Sequence, residues 1–244
     1  MPHPHRPSSC RPSALAAAFG LACASTAGAQ AVDTGFSVGA SSAWLVRGIP
    51  LSRGERPAVF AGADAYATSG WSLGGTVGRF EARDGEQADA VGLRAGYEHT
   101  FGGRWTLMTR LRHMSYPGSD ALKAWCYNEW GASVADADRW VLSWSAETRR
   151  GVGCNQHVGP VIVSRSLELN GHWPLDGGFH LGAGLGRRMY GGGQGYLFGQ
   201  AGGGWVSPGG LKLLLDRAWV SPQARLIYGH AARDRWVASV VQSF

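Results

Sequence analysis

The feature that most constrains the fold is a series of segments, about ten residues each, in which apolar and polar side chains alternate. In one of them Trp140, Leu142 and Trp144 alternate with Ser143 and Ser145. Side chains of a β-strand point to opposite faces with a period of two, so the pattern predicts strands with one apolar and one polar face. Beyond the N-terminal region, no apolar run reaches the roughly 20 residues that a transmembrane helix needs.

Turn signals rich in Gly, Asp and Pro separate the alternating segments. The segments are as long as a tilted transmembrane strand, and a membrane-embedded sheet must close on itself to pair its backbone groups. The sequence therefore predicts an all-β fold, a single antiparallel transmembrane β-barrel of about 12 strands, with both ends on the periplasmic side. The predicted strands are 35–47, 57–67, 71–82, 88–99, 104–115, 123–134, 139–149, 159–173, 179–190, 195–206, 211–220 and 234–244.

The N-terminal region has the composition of a secretory signal peptide. It carries Arg6 and Arg11, no acidic residue, an apolar run over 14–24 and small residues before position 32. This pattern predicts a signal peptide at 1–31 and an outer-membrane barrel at 32–244. The expected location is the bacterial outer membrane.

The charge of the chain is mildly basic. Taking the two leader arginines from the 23 basic residues, against 17 acidic ones, leaves a formal charge of +4 on the remainder. Arginine is scattered through the strands and there is no lysine-rich run, so we expect no nucleic-acid partner. No metal site is predicted, because no set of ligand-type residues has a convincing spacing. No dinucleotide cofactor is predicted either, because Gly182, Gly184 and Gly186 alternate along a strand and open no helix.

Most of the charged side chains in the strands fall on the polar face, which would line the barrel lumen. Charges at membrane depth must face water or one another. They could form ion pairs that fill a narrow barrel, or a polar pore lining that sorts solutes by charge. The candidate pore-lining or rim residues are Arg47, Arg94, Arg110, Arg112, Glu129, Glu147, Glu168, Arg188, Lys212 and Asp216.

Two cysteines, Cys126 and Cys154, remain after the predicted leader. Export leads to an oxidising compartment, where disulfides are permitted. Both residues should lie toward the outer ends of adjacent strands. A bridge between them and a pair of free thiols both stay open.

Several short motifs, taken in order, resemble the TorF-type putative porins. The stretch 42–52, with the pair Arg47-Gly48, is similar to the first-strand signature of that family, and 57–66 is similar to its second strand. The resemblance implies an outer-membrane barrel with porin activity and small solutes as partners. It also implies that Arg47 and Glu129 are lumenal or rim charges, and that the C-terminal Phe244 is read by the barrel-assembly machinery. The chain departs from the family at Ala43, where an acidic residue is usual.

We therefore expect a narrow polar channel for small solutes, with a preference for anions. One alternative is a lipid A hydrolase, since His113-Met114-Ser115 resembles the His-x-Ser of lipid A deacylases and a carboxylate such as Glu129 or Glu147 could orient the histidine. Another is a filled structural barrel without transport. The loop 221–233, with Arg225, His230 and Arg233, is either a basic outer rim that meets lipopolysaccharide or anionic solutes, or a solvated hairpin without a partner. Outer-membrane lipids are the expected surroundings.

Overall fold

The computed structural model describes residues 32–53, 56–119, 122, 125–137, 139–148 and 163–244. The predicted signal peptide lies outside these residues. The strands are β1 (Val32–Ser41), β2 (Leu45–Val46), β3 (Ile49–Pro50), β4 (Ala58–Ala67), β5 (Trp71–Glu81), β6 (Gln87–Phe101), β7 (Trp105–Ser115), β8 (Tyr127–Asp136), β9 (Trp140–Thr148), β10 (Ser164–Pro174), β11 (Phe179–Tyr190), β12 (Gly195–Val206), β13 (Leu211–Val220) and β14 (Arg235–Ser243).

Within this described part of the chain, twelve strands form one closed antiparallel barrel, β1 and β4 to β14. Each strand pairs with its neighbour in sequence, and β1 closes the barrel by pairing with β14, with Ala40 opposite Val240. The predicted fold class is confirmed. The tight turns between strands, the start of β1 and the end of β14 lie on one side of the barrel, here called the short-turn end. The longer connections lie on the opposite side, called the loop end.

The outward face of the barrel is apolar and exposed. Mid-strand leucines such as Leu93, Leu169 and Leu215 are each close to half exposed or more. Trp71, Trp105, Trp140 and Phe179 begin strands at the short-turn end and are also exposed. An apolar band bordered by aromatic side chains is the surface that a lipid-facing barrel presents.

The first predicted strand, 35–47, was wrong at its end. Strand β1 ends at Ser41, where the backbone N–H of Ser42 donates to Ala238 O at 2.8 Å and pairing with β14 stops. The chain then turns inward, and β2 and β3 form a short hairpin inside the barrel. Residues 42–53 are called the lumenal hairpin below.

The connection after β13 also has regular structure, where the sequence predicted a plain loop. A short helix, α1 (Pro222–Tyr228), begins with proline at its first position and packs against β12. No helix among the described residues is long and apolar enough to span a membrane.

Candidate functional site: the lumenal hairpin and its carboxylates

The lumenal hairpin is held together by its own backbone. Leu51 N–H donates to Trp44 O at 2.9 Å, and Trp44 N–H donates to Ser52 Oγ at 2.8 Å. At its turn Arg47 and Gly48 both adopt left-handed backbone angles, with φ of 48° and 77°. A side chain at position 48 would bring its Cβ to 2.7 Å from Val220 Cγ1, so only glycine suits both the angle and the space.

Apolar side chains anchor the hairpin inside the loop-end half of the lumen. Ile49 and Leu51 are each only 1% exposed. Leu51 belongs to a cluster with inward-facing side chains such as Phe80, and Ile49 to a second cluster with Phe198. Trp44 stacks on Phe80 with 5.3 Å between ring centroids. The hydrophobic effect thus drives this segment into the barrel.

The tip of the hairpin places Arg47 against three carboxylates from adjacent strands. Nε of Arg47 donates to Glu168 at 3.1 Å, and its Nη1 and Nη2 bind Glu147 and Glu129. Nη2 also donates to Ser145 Oγ at 2.9 Å. Glu129, Glu147 and Glu168 are called the carboxylate cage. One guanidinium therefore ties the hairpin to β8, β9 and β10.

The cage explains how two buried acids can lie side by side. Glu129 and Glu147 are directly opposite each other on β8 and β9, and their side chains are only 2% and 3% exposed. Like charges in this arrangement repel, and buried charges are costly unless paired. Arg47 lies between them, and Arg188 and Ser164 Oγ complete the partners of Glu147.

Arg47 carries its charge at every accessible pH. Burial by itself would lower the pKa of its side chain, but Glu147, Glu129 and Glu168 outweigh burial and raise that pKa above the ordinary value for arginine. The attachment of the hairpin is therefore not released by deprotonation of Arg47.

Three further predicted residues form a basic stripe on the wall made by β6 and β7. Arg94 and Arg112 are directly opposite each other, and Arg110 lies two residues before Arg112 on β7. Arg94 binds Asp64 and is 47% exposed, while Arg110 is 50% exposed and lies 3.8 Å from Glu129. These arginines are open to the lumen, whereas Glu129 is not.

The hairpin tip has cavities on both of its sides. One, of about 180 Å³, is lined by Arg47, Arg110 and Arg112 together with Tyr127 and Glu129. It is called the arginine cavity.

The cavity on the other side, about 200 Å³, is also lined by Arg47 and extends past Asn170 and Gln200. Asn170 and Gln200 also border a third space, of about 200 Å³, which contains His180 and Asp216. A polar path therefore leads from the hairpin toward the short-turn end.

Two glycines let polar lumenal side chains lie close against the barrel wall. A Cβ at Gly184 would collide with Asn170 Oδ1, and one at Gly202 with Asp216 Oδ1. Lys212, the remaining lumenal candidate, is half-buried on β13 near the short-turn end. No group of three or more histidine, cysteine or acidic side chains suited to a metal occurs in the part of the chain described.

The two carboxylates named for the hydrolase alternative, Glu129 and Glu147, do not contact His113. His113 Nδ1 lies 2.9 Å from the Asn128 amide oxygen. Glu129 and Glu147 bind Arg47 on the opposite, lumenal side of the wall. Neither acid is therefore available to orient His113.

Cys126 is disulfide-bonded. Its predicted partner, Cys154, lies outside the described residues. The pairing of these two cysteines stays a prediction.

Sequence reasoning missed the neutral polar residues of the lumen and one acid. Asp64, Asn170 and Gln200 were not singled out, although the period-two pattern of their strands puts each on the polar face. The sequence analysis also did not predict that residues 42–53 turn into the lumen. The run Arg47-Gly48-Ile49-Pro50 was a usable signal, because glycine and proline seldom occupy the middle of a paired strand.

Family models and curated protein sequences gave no match to this chain. Several solved structures, in contrast, match the fold of this chain. The KdgM porin matches with a TM-score of 0.52 at 9% identity, over 86% of this chain and 99% of that one. The KdgM porin in complex with disordered oligogalacturonate matches with a TM-score of 0.54 at 10% identity, over 87% and 99%. The NanC porin gives 0.49 at 7% identity, over 86% and 98%.

Because the sequence identities are only 9% and 10%, the similarity to the KdgM structures shows a shared fold and nothing about function. The closed twelve-strand barrel of the described residues, with its apolar exterior and polar interior, has the fold of the KdgM porin barrel.

Proposed function

We propose that the protein is an outer-membrane porin whose narrow polar lumen passes small solutes and prefers anions. The observation that carries the preference is the unequal exposure of the lumenal charges. Arg94 and Arg110 are about half exposed, at 47% and 50%. The carboxylates of Glu129 and Glu147 are 2% and 3% exposed and are paired with Arg47. A solute beside the hairpin tip is therefore more exposed to the charges of Arg94 and Arg110 than to those of Glu129 and Glu147.

The lumenal hairpin makes the channel narrow. It occupies the loop-end half of the barrel, and the cavities on its two sides are about 180 and 200 Å³. A solute that crosses the barrel must pass Arg47 and the surrounding charged wall. Close contact with fixed charges is what gives a small pore its charge selectivity.

Two similarities support the proposal. The first-strand signature that resembles the TorF-type porins contains Arg47 and Gly48, and both have a specific place at the hairpin tip. We propose membership of that family on this basis. KdgM, a barrel of the same fold, has been solved with oligogalacturonate, which is a polyanion.

The membrane partners follow from the outer surface. We propose that the exposed apolar band contacts outer-membrane lipids, and that the basic connection around Arg225 and Arg233 meets lipopolysaccharide phosphates. Phe244, which directly follows β14 and is 75% exposed, would be the residue recognised by the barrel-assembly machinery.

Solute flux into liposomes tests the proposal. Vesicles that contain the folded protein should swell faster in isosmotic solutions of a small organic anion than in those of a cation of equal size. Changing both Arg110 and Arg112 to Gln should reduce that difference, whereas Arg217→Gln, on the outer face, should leave it unchanged. Equal swelling with anions and cations in the parent protein would refute the anion preference, and no swelling would refute the channel.

A further inference from the structure

We propose that the arginine cavity is a binding site for a small organic anion bearing a carboxylate or phosphate, and that the bound anion competes with the carboxylate cage for Arg47. This inference rests on the proposed function, because it names the solute class and the place where the solute stops. It requires that the charge of the cavity favour an anion, that its arginines have hydrogen-bond donors without a protein partner, and that the bound anion contact Arg47.

The charge around the cavity favours an anion. Arg47, Arg110 and Arg112 contribute three positive charges, and Glu129 and Glu168 contribute two negative ones, so the lining is net positive by one. The two acids already accept hydrogen bonds from Arg47. The unneutralised charge therefore lies on the side formed by Arg110 and Arg112.

Arg110 and Arg112 have guanidinium donors free for a ligand. The nearest carboxylate to Arg110 is that of Glu129, at 3.8 Å, which is too far for a hydrogen bond. Among the residues that the structure describes, no carboxylate lies within ion-pair distance of Arg112. A planar guanidinium matches the two oxygens of a carboxylate or phosphate, so this pair suits such a group.

The register of the wall adds a reason for the site to be occupied. Arg112 is directly opposite Arg94 on the neighbouring strand. Like charges in this position repel. Asp64 binds Arg94, whereas the acid directly opposite Arg112 on its other side, Glu129, is bound by Arg47. An anion bound to Arg112 would reduce the repulsion between Arg94 and Arg112.

Occupancy of the cavity bears on the hairpin, because Arg47 lines the same space. An anion bound to Arg110 and Arg112 presents its remaining oxygens toward the guanidinium that Glu129 and Glu168 now hold. Each hydrogen bond that Arg47 transfers to the anion weakens the tie between the hairpin and the wall. The solute would thus loosen the segment that blocks its own path.

Anion binding to the folded barrel in detergent micelles tests this site without any use of ion flux. Isothermal titration calorimetry with succinate and with inorganic phosphate should show saturable binding to the parent protein. Equal ionic strength of sodium chloride, and glycerol as a neutral probe, should not reproduce it. The variant with both Arg110→Gln and Arg112→Gln should bind about tenfold more weakly or worse, since charge-assisted hydrogen bonds are lost.

Arg217→Gln is the matched control, because it removes one exposed arginine from the outer face, where it lies 3.7 Å from Asp234. It should bind succinate as the parent does. Heat-modified gel mobility confirms that every variant is folded. Equal affinity of the parent and the double variant, or heat from succinate no greater than from chloride, would overturn the site.

The cage supplies a second readout. Glu129→Gln removes one competitor for Arg47, so it should raise the affinity for succinate; unchanged or lower affinity would overturn the competition. Saturable binding without ion flux in any variant would instead refute the proposed channel and leave the binding site standing.

Discussion

Arg47→Ala is the substitution with the largest expected effect on stability. It removes the guanidinium that binds all three carboxylates of the cage, and two of these, Glu129 and Glu147, are only 2% and 3% exposed in the intact protein. Arg188 still pairs with Glu147, but the nearest cation to Glu129 is then Arg110, at 3.8 Å. Breaking a buried ion pair by removal of one partner costs about 3–5 kcal/mol, and we expect a loss in this range.

Urea titration of the folded barrel in micelles, followed by heat-modified gel mobility, measures the free energy of unfolding. Arg217→Ala is the control, since an exposed arginine at 3.7 Å from its partner contributes about 0–1 kcal/mol. Combining Arg47→Ala with Glu129→Gln should recover part of the loss, because one buried charge is then neutral. A loss below about 1 kcal/mol for Arg47→Ala would refute the role assigned to the cage.

Three further substitutions test other parts of the structure. Gly48→Ala should cost about 1–3 kcal/mol in the same urea titration, since it places a side chain at a φ of 77° and 2.7 Å from Val220; an unchanged midpoint would contradict the turn. Leu169→Arg, in the middle of β10 on the lipid face, should cost about 2–4 kcal/mol in folding into lipid vesicles, and the adjacent lumenal change Asn170→Lys should cost clearly less. Ser115→Ala should leave the lipid A acylation of cells that express the protein unchanged, whereas a deacylation that depends on Ser115 would restore the hydrolase alternative.

Alternation of side chains predicted most of the barrel because each strand buries one face in the lumen and exposes the other to lipid. Strand β11 at 179–190 and strand β12 at 195–206 match the prediction from end to end. The end of β1 was wrong because pairing with β14 stops at Ser41, and the apolar residues 43–46 that follow enter the lumen in the hairpin. An apolar run in the sequence does not show whether it continues a barrel strand or turns into the lumen.

The candidate site was predictable only in part, for the same reason. Period two puts Glu129, Glu147 and Glu168 on the polar face, and strand order brings the first two together. It cannot say that Arg47, from a segment outside the barrel strands, binds all three. That contact depends on the hydrophobic burial of the hairpin, which local patterning does not describe.

Planar-bilayer recording of the purified, folded protein tests the central claim most directly. Under a salt gradient, the reversal potential gives the ratio of anion to cation permeability. We predict discrete conductance steps with a ratio above one. The ratio should fall when Arg110 and Arg112 are both changed to Gln, because these arginines line the lumen beside the hairpin tip. Correctly folded protein that gives no conductance steps, or a ratio below one in the parent protein, would contradict the account.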